Sequence, residues 1–219
     1  MRTKNECGGS FESPINITTN ATVFDPSLGP IKYTHYIEAM RNVVIENNGH
    51  TVMLTPEKAS KATVSIYGLP SIYNFKQLHF HWGAKSTEGS EHHVDGKSNA
   101  MEVGRRENRA LNSVVTALRQ MNNQAARQVK LRRLASLEDL LPRNPSLSYF
   151  YRGSLTTPPC AQAVIWAVLK NEERISESQL EVFRHLEAEH THNNRKVRLL
   201  NNFRPSMPLN GRHIYRNFL

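Results

Sequence analysis

Short apolar runs separated by polar turns set the pattern of this chain. Asn42-Val-Val-Ile45, Thr51-Val-Met-Leu54 and Ala62-Thr-Val-Ser-Ile66 are β-rich runs, and Asn48-Gly49 is a hairpin-turn signal between the first two. Phe75 to Trp82 is dominated by aromatic and bulky apolar residues and is stopped by Gly83, so it reads as a strand. Asn99 to Val103, Ser148 to Tyr151 and Ala163 to Leu169 read likewise. A helical period appears twice. Leu111, Val114, Val115, Leu118 and Met121 share one face of a helix over residues 109–121. Ser176 and Gln179 form a capping box for a second helix, predicted to run to about His190 with Leu180, Phe183 and Leu186 turned inward. Ser136 to Leu141 reads as a capped helical turn stopped by Pro142. Gln124 to Arg133 is basic and reads as a solvated loop or edge, and the tail to Leu219 as loop and edge strand. Many short strands and few helices predict a mostly β (α+β) fold, with a mixed, mainly antiparallel twisted sheet and short peripheral helices.

The bulk numbers fit one domain over residues 1–219. Hydrophobic content of 38% predicts a packed fold instead of disorder. No apolar run has the length of a membrane-spanning helix, and the opening residues, Met1 to Glu6, are polar and carry no signal segment. A net charge of +9 raises nucleic acid as a partner. No nucleic-acid motif accompanies the charge, and Arg119 to Arg133 lacks interleaved aromatics for base stacking, so no nucleic-acid partner is expected.

Candidate chemistry centres on His79 and His81. Residues two apart on a strand point to one face, and two adjacent imidazoles make half of a metal site. Zinc takes His nitrogens at about 2.0–2.1 Å, and a catalytic zinc has three protein ligands plus water. Gln77 lies on the same face and can hold an imidazole N–H. Nearby, Ser90-Glu-His-His-Val-Asp-Gly96 is dense in titratable groups. His50 leaves the Asn48-Gly49 turn, and a second His-x-His, His190 and His192, falls at the end of the second predicted helix, exposed and outside any metal site. Cys7 and Cys160 are the two cysteines; taken alone they are equally compatible with buried free thiols.

Phe80-His-Trp-Gly83 followed by Gly89-Ser-Glu-His-His-Val-Asp-Gly-Lys97 resembles the active-site signature of the α-carbonic anhydrases. Other pieces match in the same order: Ser13-Pro-Ile-Asn-Ile17, Asn47-Asn-Gly-His50, Gly153-Ser-Leu-Thr-Thr-Pro-Pro159, Val164-Ile-Trp166, Asn202-Phe-Arg-Pro205 and Pro208-Leu-Asn210. The resemblance spans almost the whole chain. It implies a ten-stranded central sheet and a zinc cofactor held by His79 and His81. It also implies carbon dioxide and bicarbonate as small-molecule substrates. It makes His50 the proton shuttle, Thr156 the group that orients the attacking oxygen, and Glu91 the acceptor of the Thr156 proton. Leu155, Thr157, Val164 and Trp166 then line the substrate pocket. Gln77, Glu102 and His92 support the ligands and the fold around Glu91. Secreted and membrane-exposed members carry cysteines where Cys7 and Cys160 stand, which implies a Cys7–Cys160 disulfide and an extracellular or outer-membrane-face location. Of the sequons at Asn16 and Asn20, the first is expected to be too buried for glycosylation.

The resemblance breaks after Glu102. In the family the strand continues into the third ligand histidine; here Val103-Gly104 and then Glu107-Asn-Arg-Ala-Leu111 resemble a later segment that leads into a surface helix. A segment bearing that histidine, apolar pocket residues and central strands is therefore expected to be missing, as are aromatic-rich residues at the N-terminus. Neither His92 nor His93 is an evident substitute. Three readings follow: an impaired zinc enzyme, a catalytically silent relative that binds a partner, or a nonfunctional splicing or gene-model product.

Overall fold

The computed structural model describes residues 6–69, 71–98, 102–192 and 195–219. The first part of the chain forms β1 (Asn16–Ile17), β2 (Val23–Phe24), β3 (Ile31–Thr34), β4 (Ala39–Asn47), β5 (Val52–Pro56), β6 (Thr63–Ile66), β7 (Ile72–Asn74) and β8 (Leu78–His79). The middle adds β9 (His93–Val94), β10 (Lys97–Ser98), β11 (Glu102–Gly104), α1 (Asn112–Gln120), β12 (Arg127–Ser136), β13 (Ser148–Gly153), β14 (Val164–Leu169) and β15 (Arg174–Ser176). Then come α2 (Glu177–Arg184), β16 (Glu187–His192), β17 (Arg195–Arg198) and β18 (Tyr215–Arg216). The fold is mostly strand with mixed pairing, as expected.

Two four-stranded sheets dominate, in the orders β12-β4-β5-β8 and β14-β13-β18-β2. The β4–β5 hairpin forms because Asn48 Oδ1 accepts from the backbone N–H of both His50 and Thr51. Gly49 sits at φ 84°, a left-handed conformation that suits glycine. Inward residues Val43, Ile45, Val52 and Leu54 are buried against Val114 and Leu118 of α1 and Phe183 of α2. Each such side chain contributes about 1.5–3 kcal/mol on burial. A second cluster joins Ile15, Ile17, Tyr149, Tyr151 and Val168.

The sheet is interrupted where β8 and β14 stand as outer strands of their sheets. β11 does not join β8; it pairs in parallel with β15, Glu102 opposite Arg174. The expected strand at residues 99–103 falls partly outside the described residues, as does the Glu102 side chain.

Three local expectations need correction. The strand over residues 75–82 shrinks to β8, because it has a partner on one side only: Leu78 pairs with Leu54 and His79 with Met53. The second helix ends at Arg184, short of His190, which lies in β16. Its capping box is present and Leu180, Phe183 and Leu186 are buried as expected, but the Glu187 N–H turns away to Asn123 O and β16 pairs with β17. The basic stretch, read as a loop or an edge, is an edge strand, β12. Asn16 is exposed, with its side-chain oxygen accepting from Gly96 N at 2.9 Å.

Cys7 and Cys160 form a disulfide, with Cα atoms 5.0 Å apart. It fastens the entry segment to the loop after β13, where Glu6 N also donates to Pro159 O and Gln162 N to Glu6 Oε2.

Candidate metal centre

β8 and the turn after it present His79 and His81 side by side, ring centroids 4.9 Å apart and nearly perpendicular. His81 Nδ1 lies 2.6 Å from the backbone carbonyl of Asn202. A carbonyl only accepts, so Nδ1 carries a proton and a metal could bind this ring only through Nε2. That Nε2 is buried and has no hydrogen-bond partner. His79 Nδ1 is 3.0 Å from Gln77 Oε1, which fixes the same tautomer. Partial burial lowers the His79 pKa, and His81 adds to this against the opposing charge of Glu91. With Nδ1 of both rings engaged, Nε2 is the nitrogen each ring has left to offer a metal.

Glu91 is buried, with Oε2 3.4 Å from His81 Nε2 and Oε1 accepting from Arg204 N at 3.2 Å. His92, also buried, lies 2.6 Å through Nε2 from the Tyr151 hydroxyl, which donates to Ser13 Oγ. Burial, then the neighbouring His93 and His81, pulls the His92 pKa down to about 4. It packs on Trp166 at 4.6 Å between centroids, and Trp166 Nε1 donates to Ser154 O. Gln77, His79, His81, Glu91, His92 and Trp166 line one cleft of about 520 Å³ between the β8 and β14 edges.

Other expected members stand apart. Leu155, Thr156, Thr157 and Val164 do not line this cleft. Glu91 meets His81 and Arg204, and among the described residues no hydrogen bond joins it to Thr156. Leu155 is 45% exposed. His50 is exposed, with Nε2 2.9 Å from Glu189 Oε2. His93 faces Ser206 Oγ at 3.0 Å. Among the described residues, no group of three His, Cys, Asp or Glu side chains is placed to hold a metal ion. The residues present therefore fit two ligands of a zinc site.

Asn202 carries more of this site than its place in the Asn202-Phe-Arg-Pro205 motif signalled. Its carbonyl holds His81, its Oδ1 accepts from Trp82 N at 2.8 Å, and its Nδ2 donates to His50 O and Phe80 O. Only the repetition of a family motif marked it in the sequence; nothing local did.

A family model described as eukaryotic-type carbonic anhydrase matches residues 2–105 and 102–218. The chain is 34% identical over 243 residues to carbonic anhydrase 7 of Mus musculus, covering 96% of this chain and 89% of that protein. It is 33% identical over 245 residues to carbonic anhydrase 15 of Mus musculus, with 95% and 75% covered. To carbonic anhydrase 4 of Rattus norvegicus it is 32% identical over 248 residues, with 97% and 77% covered. Each alignment is longer than the 219-residue chain, so these relatives carry positions that this chain lacks. With matches that run almost end to end and a histidine pair held in ligating form, the chain belongs to the eukaryotic-type carbonic anhydrase family.

Proposed function

We propose that this protein is a carbonic anhydrase by descent, acting on carbon dioxide and bicarbonate, with turnover held low by an incomplete zinc site. One observation carries the reading: His79 and His81 have their Nδ1 atoms tied down and the buried Nε2 of His81 has no hydrogen-bond partner, only Glu91 Oε2 at 3.4 Å. Zinc, when bound, would lower the pKa of its water to about 7, a value belonging to the carbonic anhydrases as a family and not obtained from this chain. His79 and His81 would hold it, with Gln77 and the Asn202 carbonyl fixing their tautomers.

Glu91 is the acceptor for the Thr156 hydroxyl proton, and Thr156 orients the attacking oxygen. His50 moves the released proton to solvent. Trp166, Val164, Leu155 and Thr157 form the wall beside the substrate. Glu102 would have supported the third ligand. Thr156 must close on Glu91, and His50 must leave Glu189, before this set can work together; both rearrangements favour slow turnover. The third histidine is assigned to a segment missing between Glu102 and Val103. The meeting of the two family-matched stretches at 102–105 and the length of the alignments support that position. The disulfide supports an oxidising, extracellular or outer-face location.

The test compares this chain with one carrying the family's segment between Glu102 and Val103. Stoichiometric zinc and fast, sulfonamide-sensitive hydration in the restored form alone supports the reading. One tight zinc and comparable turnover in the short form refutes it. A second reading, a silent relative acting through its surface, is favoured by the absence of a three-ligand group among the described residues. It predicts no zinc and no hydration even after restoration.

A further inference from the structure

The far end of the β12-β4-β5 sheet carries a cleft of about 520 Å³, separate from the histidine pair. Its charged lining is Arg41, Lys58, Lys61 and Arg133, with His35 and Glu38 at one side. Glu38 is engaged by His35 at 2.7 Å, and the nearby Glu57 by Lys130. No acidic group among the described residues pairs with any of the four cations. All four are exposed.

Two of them are placed at a cost. Arg41 and Arg133 stand directly opposite each other in the antiparallel register of β4 and β12. Opposite Cβ atoms lie about 4.5–5.5 Å apart, and like charges there destabilise the pair. The register shifts immediately after Arg133, and Asn42 adopts a φ of 52° beside Arg41. Both features break the alternation of the strands and leave Arg41 and Asn42 both exposed. The loop bearing Lys58 and Lys61 is tied into the same cleft by Glu57 N donating to Asn42 O and Ala62 N to Ser60 Oγ. Ser60 keeps a hydroxyl hydrogen to donate. Four cations against one lining carboxylate, Glu38, leave the concavity net positive, and with the Ser60 hydroxyl they form an oxyanion site.

The cationic surface continues along the β12 edge through Arg132 and Arg127, both exposed, with Lys130 between them engaged by Glu57. Six residue steps at about 3.3 Å make this about 20 Å long. The ligand that fits is linear and carries several anionic groups. The Cys7–Cys160 disulfide belongs to an oxidising compartment, where nucleic acid is not the prevalent polyanion. The cleft offers no Phe, Tyr or Trp for base stacking. We propose that the Arg41–Arg133 cleft and the β12 edge bind a linear polysulfated glycan, with sulfate groups seated between the paired arginines and the Lys58–Lys61 loop.

The experiment measures binding of a fluorescent heparin hexasaccharide at about 0.15 M salt, the physiological ionic strength. The Arg41→Gln/Arg133→Gln variant is compared with Arg105→Gln/Arg106→Gln, which removes the same charge from another exposed place. We expect the first variant to lose about tenfold or more in affinity, and the second less than about threefold, as lost contact and lost long-range field respectively require. Melting without ligand monitors folding: relief of the arginine pair leaves the first variant at least as stable as the parent. Equal losses in both variants overturn the proposal. So does a single-stranded oligonucleotide or a polyglutamate peptide of matched charge that binds as tightly and responds to the same variant. Inorganic sulfate competing as well as the hexasaccharide would reduce the site to one for single ions and also overturn it.

Discussion

Asn202→Ala tests how the histidine pair is held. The side chain makes three hydrogen bonds, and they are not equal. Phe80 O keeps the Thr51 hydroxyl when Asn202 Nδ2 is removed, so its loss costs little. His50 is exposed, and water replaces the bond to its carbonyl. Trp82 is 2% exposed, and its N–H relies on Asn202 Oδ1 at 2.8 Å. Leaving that donor unpaired costs about 1–3 kcal/mol, against about 0.5 kcal/mol for each replaceable bond. The expected total is about 2–4 kcal/mol, or about 4–16 °C in Tm for a chain of this length. Asn201→Gly is the control: it keeps the left-handed φ of 55° and loses a bond to the exposed Ala84 N, for about 0.5 kcal/mol. Urea denaturation with an unchanged m value measures both. The Asn202 carbonyl survives the substitution, but its placement opposite His81 Nδ1 does not, so zinc affinity is expected to fall in parallel. A loss below 0.5 kcal/mol, or one no larger than that of Asn201→Gly, would refute the assignment of Asn202 as the support of His81.

Replacing Cys7 and Cys160 by Ser opens a loop of 153 positions; chain entropy puts the cost near 5 kcal/mol and measured bridges typically give about 2–4, so a Tm drop of about 5 °C or more is expected in calorimetry. An unchanged Tm would contradict it. His92, held near pKa 4 in the fold against 6.5 when free, binds its proton in the unfolded chain first, so its contribution is complete above pH 6.5 and is lost as pH falls towards 4. The difference of 2.5 units amounts to about 3 kcal/mol; chelator-treated protein compared with His92→Gln at pH 7.5 and pH 4 should show the steeper loss in the parent, and parallel losses would defeat the idea. Gly49→Ala forces a Cβ to 2.4 Å from Glu189 Cβ at a positive φ, and a cost of about 1–3 kcal/mol is expected by urea titration; a neutral result would mean that the hairpin is not tied to β16 as described.

Much of the site was legible because strand alternation and metal chemistry are local. His79, His81 and Gln77 share one face by parity alone, and the structure keeps that parity although β8 has only two residues. What fixed its shortness was pairing with β5 on one side, a long-range property with no mark in residues 75–82. The helix that stops at Arg184 did leave a mark: Leu186 and Ala188 are both buried, a period of two that competes with the period begun by Leu180 and Phe183. The same period in Val129 and Leu131 is what separates an edge strand from a loop at β12. The relation of Thr156 to Glu91 depends on how two sheets face each other, which no local pattern encodes.

The disulfide also sets how the molecule answers to force. A pull applied on the two sides of the bond cannot draw out the 153 positions between Cys7 and Cys160 while it is intact. At about 3.5 Å per residue that withholds about 540 Å of extension that the reduced chain would give. β4, β5, β8 and the histidine pair lie inside the locked loop, but β14, the other wall of the cleft, and Asn202, which holds His81, lie beyond Cys160 in the path of the load, so pulling would strip that wall and that support from a histidine pair that itself stays folded in.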